Sequence, residues 1–170
     1  TTPWTLPSNV ALAVNPDSTY AKVRVKDEYL YLVKDRVKAI LGDDAEIVEE
    51  MPGKSLEHLE YEQLLPFAEV GKKAFYVTVA DFVSTEDGTG IVHIAPAFGE
   101  DDYQVGLKYD LPVLQLVDTE GRFKDEVSEW AGMFVRDADP KIVEYLKRSG
   151  SLLKKEKLTH SYPYCWRCDT

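Results

Sequence analysis

What most constrains this chain is its punctuation: apolar stretches of a few residues, each closed by a cluster of turn formers. Residues 10–14 form an apolar run that stops at Asn15-Pro16-Asp17. Residues 20–25 and 28–33 alternate large polar or aromatic residues with Ala, Val and Leu, separated by Lys26-Asp27, which predicts a hairpin. Residues 45–51 return to strand character before Pro52-Gly53. Residues 74–83, 91–95 and 113–117 are further strand candidates, and 152–159 are strand-like. The stretch 54–69 fits neither period. Chains written in such short units cannot build long helices or a membrane span, which needs roughly 20 continuous apolar residues.

Helical patterns are few. Residues 35–41 carry Val37, Ile40 and Leu41 at helical spacing and stop at Gly42. Residues 99–109 place three acids in a first turn, where the helix dipole favours them. The clearest helix is predicted to start with Asp139 as N-cap and Pro140 at its first position, burying Ile142, Val143 and Leu146 and ending at Gly150. Many short strands with interspersed short helices predict a mainly β fold, a closed or nearly closed β-barrel decorated by short α-helices.

Thirty acids against twenty bases leave a net charge of −10, which repels phosphate and argues against unaided binding of duplex nucleic acid. A short single-stranded end is still acceptable if another domain supplies most of the grip. Both cysteines, Cys165 and Cys168, lie in one CxxC. Two thiols are too few for a disulfide scaffold, so a reducing, cytoplasmic setting is expected. The pair is either half of a four-ligand zinc site or a redox couple, and no tightly bound metal is expected without a second knuckle. No secretory signal is visible, and the opening Thr1-Thr2-Pro3-Trp4 reads as the interior of a longer protein.

Two segments carry possible chemistry. In Gly88-Thr89-Gly90-Ile91-Val92-His93-Ile94-Ala95-Pro96, His93 is the polar member of an apolar strand, and Glu100-Asp101-Asp102 follow a turn forced by Pro96 and Gly99. That turn can fold Asp102 back towards His93, and an imidazole and a carboxylate on one concavity can orient water or hold an ammonium group. The alternative is a histidine satisfied by backbone beside acids that only start a helix. The opening Thr1-Thr2-Pro3-Trp4-Thr5-Leu6-Pro7-Ser8-Asn9 offers three threonine hydroxyls for a polar wall, or is an ordinary polar entry into a strand. There is no GxSxG, HExxH, P-loop or dinucleotide-binding glycine pattern, so any hydrolysis would use water as nucleophile.

Taken together, these two segments, Gly99-Glu100-Asp101-Asp102-Tyr103 and the terminal His160-Ser161-Tyr162-Pro163-Tyr164-Cys165-Trp166-Arg167-Cys168 resemble the editing domain of isoleucyl-tRNA synthetases, the insertion called connective polypeptide 1. The resemblance runs from end to end, and the family pattern has a further threonine ahead of Thr1. It implies an editing domain over residues 1–159, with 160–170 returning towards the synthetase body. It implies hydrolysis of valine mischarged on isoleucine tRNA, and of valyl-adenylate, in a pocket that excludes isoleucine. Asp102 would pair with the α-ammonium group; His93 and Trp4 would shape the side-chain pocket, His93 acting as a base or only as a wall; Thr1, Thr2 and Asn9 would bind the terminal adenosine or the water. Gly88, Thr89 and Gly90 would bring backbone close to the substrate, beside Ala95. Editing would need no cofactor, with zinc, ATP and magnesium belonging to the full-length parent. The partners implied are the 3′ CCA end of the tRNA, valyl-adenylate and the rest of the synthetase, with no membrane.

Overall fold

A computed structural model describes residues 2–156, and among them the strands form two separate three-stranded sheets. The first is centred on β1 (Ala11–Val14), which pairs in parallel with β5 (Tyr76–Val79) and antiparallel with β6 (Ile91–Ile94). Period-2 alternation sorts its side chains. Ala11, Ala13, Val92 and Ile94 pack with Val105 of α2 (Glu100–Tyr109). Leu12, Val14, Val77 and Ile91 pack on the other face with Tyr20 and Val33 of the second sheet. Register opposes His93 to Leu12, so the imidazole shares that second face.

The second sheet has β2 (Thr19–Val25) at its centre, between β3 (Glu28–Val33) and β4 (Glu46–Pro52). The β2–β3 hairpin turns at Lys26-Asp27 as predicted, with Val25 opposite Glu28 and Lys26 at φ 54°. Ala21, Val23 and Leu32 bury one face against the short helix α1 (Val37–Leu41), which Gly42 ends at φ 88°. β4 is exposed along nearly its whole length, with Ile47 and Val48 both partly in solvent.

The two sheets meet at one corner. The buried Tyr20 hydroxyl accepts from the Asn15 amide at 2.9 Å and donates to the Gly90 carbonyl. The Val33 amide donates to the Thr89 carbonyl at 2.8 Å. Gly90 sits at φ 72°, and a Cβ there would lie 2.7 Å from Val33 Cβ, so this turn requires glycine on both steric and backbone grounds.

A third layer holds α3 (Val135–Arg148) and the irregular chain before it. Val135, Ala138, Ile142 and Leu146 of the helix are buried with Leu116, Val117, Phe123, Val127 and Trp130. Trp130 is edge-on to Phe67 and Tyr145 at 5.4 and 5.7 Å.

Several expectations need correction. No closed barrel exists among the described residues: the sheets are open, and a hydrogen bond from β3 to the turn before β6 joins them where a barrel would need a continuous ladder. With four residues each, β1, β5 and β6 are too short to tilt and wrap into one. Residues 113–117 form no strand and contribute a single bridge between Val117 and Phe123. The 74–83 candidate shrinks to Tyr76–Val79, whose outer side is bonded by the irregular residues 58–61. α3 starts at Val135 with Phe134 as N-cap, so Asp139 and Pro140 lie inside it. Burial of Val135 and Ala138 outweighs the preference of proline for a first turn. Residues 151–156 are irregular, and 157–159 fall outside the described residues.

Candidate functional site

The site starts from a short 3-10 helix, Pro3–Ser8, that leads into β1. Its Thr5 hydroxyl donates to the Thr2 carbonyl at 2.8 Å and meets His93 Nε2 at 2.7 Å. With the single Thr5 proton given to the Thr2 carbonyl, the arrangement favours Nε2–H donating to Thr5, which leaves the His93 lone pair on Nδ1. Burial pushes the His93 pKa down to about 4, which keeps the ring neutral at physiological pH.

Asp102 reaches the same place from α2. The chain turns after β6, with the Phe98 amide bonded to the Ala95 carbonyl at 2.9 Å, and Gly99 caps the helix. Asp102 then folds back so that Oδ2 accepts from the Ala95 amide at 2.8 Å. This rotamer depends on Gly99, because a Cβ at position 99 would stand 3.1 Å from the Asp102 carboxyl carbon. Burial raises the Asp102 pKa above the ordinary carboxylate value, and the Ala95 hydrogen bond opposes the shift.

Thr2, Thr5, Val92, His93, Phe98 and Asp102 line a hollow of about 360 Å³. A second one, about 900 Å³, shares Thr2 and Val92 with it and is bounded by Trp4, Gly88, Thr89, Gly90, Arg136 and Asp139, among others. The Trp4 ring, which lines the larger hollow, lies edge-on to Phe98, which lines the smaller one, at 4.9 Å. Three of the residues singled out in the sequence, Thr2, His93 and Asp102, thus converge on the small hollow. Trp4 and Gly88–Gly90 face the larger one, where the sequence had grouped Trp4 with His93. Asn9 lines neither: its amide donates to the Ala11 and Ile94 carbonyls, and its Oδ1 accepts from the Tyr61 hydroxyl at 2.7 Å. Ala95 contributes its amide to Asp102 and is itself buried. Thr1, Cys165 and Cys168 lie outside the described residues. Sequence reasoning missed Phe98, which Phe-Gly before an acidic turn could have suggested, and Asp139, which carried no signal beyond a helix start. Among the described residues no three metal-ligating side chains converge, and no helix is long and apolar enough to cross a membrane.

No protein-family model matches the chain. It is 58% identical over all 170 residues to an isoleucine–tRNA ligase of Clostridium novyi, and 46% identical over 170 residues to that of Picrophilus torridus. The isoleucine–tRNA ligase of Pyrococcus furiosus matches at 45% over 185 aligned residues, again with all of this chain covered. Over its whole length the chain is similar to one segment of these isoleucine–tRNA ligases. It spans about 16% of the length of the first two of these ligases. Its fold is that of synthetase editing domains: it superimposes on the crystal structure of GlLeuRS-CP1 with a TM-score of 0.71 at 14% identity, over 94% of this chain and 82% of that one. The editing domain of the P. falciparum cytosolic leucyl-tRNA synthetase matches at 0.64 and 12% identity, over 87% of this chain and 74% of that one. The chain therefore shares its architecture with these leucyl-tRNA synthetase domains at a level of identity where only the fold is shared.

Proposed function

We propose that this segment is the editing module of an isoleucine–tRNA ligase, hydrolysing valine mischarged on isoleucine tRNA, and valyl-adenylate, by attack of water in the small hollow. Residues 1–159 form the module and 160–170 lead back to the synthetase body. The observation that carries the reading is the convergence of Asp102, His93 and Thr2 on one cavity, each of the first two held by a partner that fixes its orientation.

The need for such a module is physical. A synthetic site shaped for isoleucine gains only about 1–3 kcal/mol over valine from one methylene, so a second, smaller sieve must remove the error. Asp102 has Oδ2 tied to the Ala95 amide, which leaves Oδ1 to take the α-ammonium group in a charge-assisted contact. Pairing with that cation favours the ionised carboxylate against the burial that opposes it. The Phe98 ring and Val92 line the hollow, and the reading requires their wall to admit an isopropyl group and to clash with a sec-butyl group. His93 Nδ1 accepts a hydrogen bond from the attacking water. A conjugate acid of about 4 is a weak proton acceptor, so the imidazole orients the nucleophile more than it deprotonates it. The Thr2 hydroxyl donates towards the ester as charge develops on oxygen. Catalysis is then positional and electrostatic, with no covalent intermediate. The tRNA is gripped elsewhere in the parent, and the module, at −10, receives only the 3′ CCA end.

The test is Asp102→Ala in the full-length ligase. Deacylation of valyl-tRNA for isoleucine should fall by about tenfold or more, since an isolated positioning ion pair is typically worth that much. An unchanged rate would sink the reading and leave the segment a non-catalytic spacer.

A further inference from the structure

Asp139 was expected to cap its own helix, and it does not. It is the fifth residue of α3, and its Oδ1 accepts from the Trp4 backbone amide at 2.9 Å, 135 residues away in sequence. The first amide groups of a helix have no partner inside it. In the Pro3–Ser8 helix, Pro3 has no amide proton and Thr5 bonds back to the Thr2 carbonyl, so Trp4 presents the amide that needs an acceptor. A threonine at N-cap ordinarily supplies that acceptor with its own hydroxyl. Thr2 occupies the N-cap and makes no side-chain capping bond. It lines both hollows instead.

We propose that Asp139 is a positioning residue of the editing site: by capping the Pro3–Ser8 helix from α3, it releases the Thr2 hydroxyl for the substrate. The inference rests on the editing function proposed above. Its geometry has a second anchor, since Trp4, whose amide Asp139 holds, also packs edge-on against Phe98 on the wall of the small hollow. Without the carboxylate, the Trp4 amide needs another acceptor, and the Thr2 hydroxyl, already at the N-cap, turns inward to cap its own helix.

The experiment uses the full-length ligase with valyl-tRNA for isoleucine as substrate, and compares Asp139→Ala, Asp139→Asn, Thr2→Val, the double variant Thr2→Val with Asp139→Ala, and Asp102→Ala. Asp139→Ala should lower kcat for deacylation by about tenfold with KM little changed, because the lost interaction serves the transition state. Asp139→Asn keeps an Oδ1 acceptor and should recover most of that loss, which a general loss of folding would not allow. If Asp139 acts through Thr2, the double variant should be no slower than Thr2→Val alone. A wild-type rate in Asp139→Ala, no recovery in Asp139→Asn, or multiplicative losses in the double variant would each overturn the proposal. Loss in Asp102→Ala with a normal rate in Asp139→Ala would refute this inference alone. A normal rate in Asp102→Ala would remove the editing reading beneath it.

Discussion

Replacing Gly90 with alanine tests the joint between the two sheets. Two separate costs are built into the position. At φ 72° an alanine occupies left-handed backbone, which costs about 1–2 kcal/mol. Its Cβ would also stand 2.7 Å from Val33 Cβ and 3.0 Å from Val33 Cγ1. Val33 cannot retreat easily, because its amide is bonded to the Thr89 carbonyl and its side chain is packed with Tyr20. Overpacking of this kind adds about 1–3 kcal/mol, for a total of about 2–5 kcal/mol. At about 2–4 °C per kcal/mol for a chain of this size, Tm should fall by about 4–20 °C. Gly88→Ala is the matched control: it sits at φ 57° with nothing within 4 Å of the added methyl, so only the backbone cost of about 1–2 kcal/mol applies. Urea and thermal unfolding of the two variants, followed by circular dichroism, give the difference directly. Equal losses would show that the Val33 contact is absent, and a neutral Gly90→Ala would refute the account of the joint altogether.

Acid should weaken the fold through His93. The unfolded imidazole takes a proton near pH 6.5, the folded one near 4, so stability is whole above about 6.5 and falls as pH drops towards 4, by about 3 kcal/mol in the limit; urea titrations of His93→Gln should lack this limb, and an identical limb would assign it elsewhere. In the full-length ligase, Phe98→Ala should widen the sieve so that correctly charged isoleucyl-tRNA is also cleaved; intact selectivity would show that another residue forms the wall. Tyr61→Phe leaves the Asn9 side-chain oxygen without its donor and should cost about 1–3 kcal/mol of stability with no loss of deacylation. A deacylation defect at normal stability would instead place Asn9 on the substrate.

Local order was readable wherever turn formers bracketed a run. β1, the β2–β3 hairpin, β4, β6, α1 and α2 all lie within a residue or two of where Asn-Pro-Asp, Lys-Asp, Pro-Gly and the flanking glycines put them. What punctuation does not carry is pairing. It reveals that residues 11–14 and 91–94 are strands, but not that four residues per strand leave the sheet open. Residues 113–117 have strand composition, yet Leu116 and Val117 are consumed in the core around Phe123 and Trp130, and tertiary burial decided their conformation. The start of α3 misled for the same reason. At the site, Pro96 and Gly99 made the return of Asp102 towards His93 foreseeable, because both constrain backbone locally. The roles of Thr5 and Asp139 were not, since each is defined by a partner 88 or 135 residues away.

β4 has water on both faces, and among the described residues its far edge pairs with nothing. Such a ribbon is an open template for any other extended chain. Glu46, Glu49 and Glu50 keep it solitary by mutual repulsion between molecules, although Arg24 and Lys34 already offset two of the three. Replacing Glu46, Glu49 and Glu50 with glutamine would remove that repulsion without touching the core, and ribbons would begin to zip together edge to edge. Neutralising those three side chains therefore invites ordered self-stacking through the very strand that contributes least to its core.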